Sequence, residues 1–271
     1  MTPHEHLRVG ILGAGRAGTA LARALQRAGI PVQIASTRSP TSMRFHLAQY
    51  APQATAVPAE QITHGTDAPS VVVLMVPQED LDSVDPQGLA GTILVDATNR
   101  WEDEPLPGWF EDSLAAGLSS SEAVAERFPG STVVKTLNHI SHWDLDGGGQ
   151  RVQPRLQPVS SVIPPLPRAA VPRGDHPEPD IAAPGTEATH HQRRALGIAS
   201  DDGPAASSVA HLIEAIGFDP VVLPSLRAGR ILEPGGPVFN RSWTASELTG
   251  LVTEDEPADA EATADGTVRD R

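Results

Sequence analysis

Cysteine is absent from the 271 residues, lysine and tyrosine occur once each, and aromatic residues make up only 4%. Without cysteine there is no disulfide, no thiolate nucleophile and no thiolate-ligated zinc, a composition compatible with a reducing compartment. Positive charge is also scarce: 20 basic side chains face 34 acidic ones, for a net charge of −14. Such a surface repels nucleic acid and anionic lipid, and leaves room only for a local basic pocket that takes one phosphate. Long apolar runs are missing too, because the stretch from Val9 is broken by Arg16 and Arg23. Residues 1–8 show neither a basic leader nor a cleavage site, so no signal peptide or membrane span is expected and the location is read as cytoplasmic.

What is present is alternation. Leu7 to Leu12 is a short apolar run that meets glycines, as a buried parallel strand does. Ala17, Ala20, Leu21, Ala24, Leu25 and Ala28 follow at helical spacing, with Gly29 as the stop. Val32 to Ser36 reads as a strand, and Ser39-Pro40 opens a helix through about Tyr50. Ala54–Val57, Val71–Val76, Ile93–Ala97 and Thr132–Leu137 read as further strands. A weak helix is expected over Leu81–Gly88, and Ser119 with Glu122 forms a capping box for a helix ending near Phe128. Alternation of this kind predicts a Rossmann-type, doubly wound parallel α/β sheet over residues 1–146.

The pattern then stops. Residues 147–192 hold nine prolines and five glycines without periodicity, the composition of a flexible insertion. A small carboxyl-terminal α/β unit is expected over 193–252: a strand at Ala195–Ala199, a helix capped by Asp201 or Asp202 and stopped by Gly217, and a strand at Val221–Leu223. Residues 253–271, with seven acids and two arginines, read as a disordered acidic tail.

The loop Gly13-Ala14-Gly15-Arg16-Ala17-Gly18 sits between the first strand and its helix, the context in which a G-x-G-x-x-G run binds a dinucleotide. Gly13 permits the tight turn, Gly15 admits a pyrophosphate to the backbone, and Gly18 lets the helix pack on the sheet. The helix amino terminus adds free N–H groups and a positive dipole end. About twenty residues on, where NAD-binding domains place an acid for the ribose hydroxyls, this chain has Ser36, Thr37 and Arg38. A guanidinium with hydroxyls suits a 2′-phosphate, so NADP is expected over NAD, and Arg16 adds a second cation. Met75-Val76-Pro77 and Ala97-Thr98-Asn99 close two strands at the carboxyl edge of the sheet, where open α/β folds bind ligands.

On these residues the chain resembles the coenzyme F-420-dependent NADP oxidoreductase family. The likeness runs through Gly10–Gly15, Ala35–Arg38, Val95–Asn99 and Val133–Ile140, then Arg194–Asp202, Ile216–Val221, Leu226–Arg230 and Leu232–Gly235. The resemblance implies hydride transfer between the nicotinamide of NADP(H) and the ring of an 8-hydroxy-5-deazaflavin, coenzyme F-420. Two stacked cofactors need a protein that positions them and excludes water, with no acid–base triad. It also implies that Asn138 and His139, after the sixth strand, lie near the nicotinamide or the deazaflavin as positioning residues, with no certain catalytic side chain.

Two other readings stand beside it. One is an NADPH-dependent reductase of a small carbonyl or imine, with Lys135 or His139 as proton donor; the other is a non-catalytic NADPH-sensing module. His139 and His142 have metal-compatible spacing, but no carboxylate cluster adjoins them, so no metal site is assigned. His190-His191 is read as solvated. Asp96 is read as bonding the backbone or holding a ribose, and Trp101, Trp109 and Phe110 as an aromatic lid or surface packing. The expected ligands are small-molecule cofactors, and a homodimer is compatible with the sequence, although Ser242–Val252 is a weak dimerising helix.

Overall fold

The computed structural model describes residues 7–64, 68–101, 105–149 and 193–254. The chain opens with β1 (Val9–Leu12), α1 (Arg16–Arg27), β2 (Val32–Ala35) and α2 (Pro40–Tyr50). A two-residue β3 (Thr55–Ala56) and α3 (Ala59–His64) lead to β4 (Val71–Leu74). Two 3-10 segments, Gln78–Ser83 and Gln87–Leu89, precede β5 (Ile93–Asp96). Next come α4 (Gly108–Ala115), α5 (Ser120–Arg127), β6 (Thr132–Lys135) and α6 (His142–Gly147). The last part holds β7 (Ala195–Ala199), α7 (Gly203–Ala215), β8 (Asp219–Leu223), a 3-10 segment Arg227–Leu232 and α8 (Ala245–Glu254).

The eight strands form one sheet in the order β3-β2-β1-β4-β5-β6-β7-β8. Strand order reverses between β1 and β4, the switch point where open α/β sheets leave a crevice. Both faces are covered. On one, Leu21 and Leu25 of α1 and Val209 and Ile213 of α7 are buried against the sheet; on the other, Leu89, Phe110, Val124 and Phe128 are. Each such side chain contributes about 1.5–3 kcal/mol on burial. The parallel rule breaks once: β7 meets β6 antiparallel, through Lys135 and Ala199, and β8 then runs parallel to β7. The carboxyl-terminal unit therefore extends the same sheet.

Several boundaries differ from the sequence reading for identifiable reasons. The helix expected over Leu81–Gly88 is two short 3-10 segments, because Pro86 lacks an amide donor and disfavours helical geometry at Asp85. The strand expected to reach Leu137 ends at Lys135, and Leu137 turns the chain with φ +66°. A left-handed leucine costs about 1–2 kcal/mol, so the surroundings hold this turn in place. Three helices escaped the sequence reading: α3, α4 and α6. The signal for α6 was present, since Ser141 and Asp144 form a capping box. Thr244 and Glu247 cap α8 in the same reciprocal way, and that helix runs to Glu254, into the span read as tail.

Asp202, not Asp201, caps α7, while the Asp201 carboxylate accepts from Leu226 N at 2.8 Å. The expected insertion begins inside the fold: Gly147 ends α6 and Gly148 caps it with φ +63°. Gly149 O accepts from Arg194 N at 3.2 Å, so the two ends of the stretch meet. Residues 150–192, His190-His191 among them, and 255–271 lie outside the described residues. Among the described residues no helix is long and apolar enough to cross a membrane.

Candidate functional site

The glycine loop joins β1 to α1, and each glycine has its own constraint. Gly13 has φ +123°, and a Cβ there would overlap Met75 O; a Cβ on Gly18 would overlap Gly13 O. These two positions require glycine for the tight turn and for the approach of helix to strand. A Cβ on Gly15 would meet no protein atom within 4 Å, so the space above it is open for a ligand. Gly15 is also the N-cap of α1 and offers no side-chain hydrogen bond. The first intrahelical acceptor of that turn is Gly15 O, taken by Thr19 N at 3.0 Å, which leaves the amides of Arg16, Ala17 and Gly18 without an α-helical acceptor. An uncapped helix end beside an open cradle fits a phosphate.

The end of β2 faces the same loop. Arg38 Nη2 donates to Ala14 O at 3.1 Å, laying the guanidinium along the glycine turn, and Arg38 N donates to Ser36 Oγ at 3.1 Å. Ser39 caps α2 by accepting from Ser42 N, so Ser36–Ser39 is a fixed corner. Arg16 and Thr37 are exposed.

A cavity of about 490 Å³ collects these groups. It is lined by Gly13–Gly18 from the loop, Ser36, Thr37 and Arg38 just after β2, Met75, Val76 and Pro77 just after β4, and Ala97, Thr98 and Asn99 just after β5. Every residue that the sequence put forward for cofactor contact therefore borders one space. A second cavity of about 510 Å³ adjoins it and shares Gly13, Ser36, Thr37, Arg38 and Val76. Three lining residues were not anticipated: Gly18 as a wall, and Glu79 and Asp80 on the 3-10 segment after Pro77; Trp101, one of the residues read as a lid or surface packing, also lines it. The turn that follows β4 was the available signal for the two acids, since it leaves the same sheet edge as the glycine loop.

Beneath the β5 turn lies a buried polar network. Asp96, with no exposed surface, accepts from Thr98 N at 3.0 Å, Thr98 Oγ1 at 2.7 Å, Ser121 Oγ at 2.6 Å and Lys135 Nζ at 3.1 Å. Lys135, also fully buried, makes its other bond to Thr98 O at 2.8 Å. Burial raises the Asp96 pKa, but the Lys135 charge and the bonds from Ser121 and Thr98 outweigh it and hold the carboxyl below its ordinary value. Asp96 is thus a structural partner of Lys135 and does not line the cavity. Gln78 Nε2 extends the network to Thr98 Oγ1 at 2.9 Å.

Asn138 and His139 lie behind the wall, 3% and 1% exposed. Asn138 Nδ2 donates to Asn99 Oδ1 at 3.2 Å and to Leu232 O at 2.7 Å, while Asn99 Nδ2 donates to Asn138 O at 2.9 Å. His139 Nε2 accepts from Gly197 N at 3.3 Å, which leaves the ring proton on Nδ1, 3.3 Å from Asn138 Oδ1. Burial, then the charges of Arg194 and Lys135, push the His139 pKa down to about 3. Neither Lys135 nor His139 borders the cavity, so the reading that made either a proton donor to a carbonyl or imine loses both candidates.

The neutral His139 has a measurable consequence. Its imidazole binds a proton near 6.5 when unfolded and near 3 when folded. Its contribution to stability is therefore whole above pH 6.5 and is lost at about 1.4 kcal/mol per pH unit as pH falls between those values. Denaturant unfolding of the wild type and His139→Gln at pH 7, 6 and 5 should show a slope smaller by one proton in the variant. Identical slopes would refute the assignment.

Of the three aromatic residues after β5, only Trp101 reaches the cavity. Phe110 is fully buried in the core, and Trp109 Nε1 donates to Asp82 Oδ1 at 2.8 Å with Arg127 over its ring at 5.6 Å. The expected aromatic lid therefore reduces to one indole.

Residues 8–100 match the family model described as NADP oxidoreductase, coenzyme F-420-dependent. Over 151 residues the chain is 36% identical to Metalloreductase STEAP3 of Rattus norvegicus, a match that takes in 54% of this chain and 27% of that protein. The chain thus spans about a quarter of the length of the curated relative it matches. Among solved structures, hypothetical protein SMa0349 of Sinorhizobium meliloti has a TM-score of 0.63 at 25% identity, over 88% of this chain and 95% of that one. A protein of Arthrobacter sp. FB24 named for F-420-dependent NADP reduction has a TM-score of 0.58 at 20% identity, over 88% and 99% of the two chains, and shows the fold.

Proposed function

We propose, since residues 8–100 match the model of the coenzyme F-420-dependent NADP oxidoreductase family, that this chain belongs to that family and transfers a hydride between NADP(H) and coenzyme F-420. The observation that carries the reading is the single cavity bordered by the open glycine cradle, Arg38 and the ends of β4 and β5. When bound, NADPH supplies the hydride and the deazaflavin takes it up together with one solvent proton, giving NADP⁺ and the reduced deazaflavin.

The side chains supply position. The free amides of Arg16, Ala17 and Gly18 hold the pyrophosphate, and the open space at Gly15 admits it. Arg38, with Ser36 and Thr37, holds the 2′-phosphate. Met75, Val76 and Pro77, with Ala97, Thr98 and Asn99, wall the nicotinamide end and keep water from it. The nucleotide domain, 1–146, carries these groups, and the unit 193–252 approaches them through Phe239, whose ring meets Trp101 edge to face. The proposed location is the cytoplasm; the proposed ligands are small-molecule cofactors, a net charge of −14 opposing a polyanionic partner.

The test is direct. NADPH and oxidised F-420 are mixed with the protein, and the absorbance bands of both are followed. Loss of the deazaflavin band in step with NADPH oxidation is expected; tight NADPH binding without turnover sinks the reading.

A further inference from the structure

The hydride partner needs a surface at the nicotinamide end, and among the described residues the cavity has one exposed aromatic side chain, Trp101. Arg38 follows β2 and Trp101 follows β5, separated by β1 and β4. Three inter-strand steps of about 4.8 Å put the carboxyl ends of β2 and β5 about 14 Å apart. Trp101 is the one aromatic residue in the cavity lining and is 44% exposed. Its ring meets Phe239 edge to face, with centroids 5.8 Å apart and planes at 76°.

Phe239 comes from the carboxyl-terminal unit, so two distant segments build this corner. Asn138 fastens both: it bonds Asn99, two residues before Trp101, and Leu232 O on the other side. His139 O accepts from Asn240 N at 3.0 Å, immediately after Phe239. The buried pair behind the wall thus sets the angle of the aromatic pair in front of it.

We infer that Trp101, braced by Phe239 and set in place by Asn138 and His139, is the platform on which the planar ring of the hydride partner stacks. This deepens the proposed function and rests on it for the identity of that ring. A half-exposed indole at a cavity mouth has apolar area to cover, and flat heteroaromatic rings stack on such surfaces offset or edge to face. The site therefore selects a fused planar acceptor over a small aliphatic carbonyl.

Trp101→Ala should raise the KM for F-420 about tenfold, the loss of one ring-stacking contact. The KM for NADPH should stay within about twofold, and Trp101→Phe should recover most of the difference. An unchanged KM for F-420, or equal rises for both substrates, would overturn the platform. Binding is read separately by titrating riboflavin, a planar tricycle, into the NADP⁺ complex and following flavin fluorescence. Riboflavin binding that weakens in Trp101→Ala supports the platform even where the wild type fails to reduce F-420, an outcome that would remove only the choice of deazaflavin. Riboflavin binding equal in wild type and Trp101→Ala, beside an unchanged KM for F-420, rejects the platform and leaves the proposed reaction standing.

Discussion

Replacing Arg38 by alanine is expected to raise the KM for NADPH about thirtyfold while that for NADH moves by about twofold or less. A charge-assisted hydrogen bond contributes about 1.5–3 kcal/mol, and each 1.4 kcal/mol is a factor of ten in affinity. Arg38 already spends one donor on Ala14 O, and its remaining N–H groups stand at the junction of the two cavities. Because the side chain is exposed, its pull on a phosphate is screened, so the preference for NADPH should shrink as ionic strength rises. Steady-state kinetics with both nucleotides at about 0.05 and 0.5 M salt measure both effects. Equal losses for NADPH and NADH would mean that Arg38 only shapes the glycine turn.

The second large effect concerns stability. Lys135→Met should destabilise the fold by about 3–5 kcal/mol, because it leaves the Asp96 carboxylate buried without its counter-charge. At this size each kcal/mol is about 2–4 °C in Tm, so a fall of roughly 6–20 °C is expected. Asp96→Asn combined with Lys135→Met removes both charges and should regain much of the loss. Thermal unfolding of the single and double variants at pH 7 decides: a Lys135→Met cost under about 1 kcal/mol would show the pair to be dispensable.

The acid side follows the same logic with a definite sign. Asp96 titrates below its ordinary value of 3.8, so its contribution is whole above that pH and is lost as pH falls through the folded value. The ion pair is thus intact at pH 5, whereas the His139 contribution is already declining there. The two windows separate the residues in one pH series.

Local features were legible wherever one segment carries its own physics. The loop Gly13–Gly18 could be read because a strand, a turn that needs glycine and an amphipathic helix are adjacent in the chain. That Ser36, Thr37 and Arg38 border the same cavity as the loop was legible because their distance from it is set by one helix and one strand. The Ser119 capping box was found, whereas the like signals at Ser141 and Thr244 were passed over beside short or weakly apolar segments. Pro86 and the left-handed Leu137 changed element ends that apolar runs alone had carried too far.

The opening loop and the absence of an acid at the end of β2 were thus enough, by sequence alone, to specify a dinucleotide cradle and to favour NADP. Local backbone demands and a single charge decide both. Which residues behind β5 and β6 face the cavity was decided only by the tertiary structure. Lys135, Asn138 and His139 carry reactive side chains, yet each is turned inward to partners distant in the chain: Asp96, Leu232 and Gly197. Trp101 is turned outward, and Phe239, more than a hundred residues away, braces it. Burial and long-range hydrogen bonding set those directions, and neither is written in the spacing of residues along the chain.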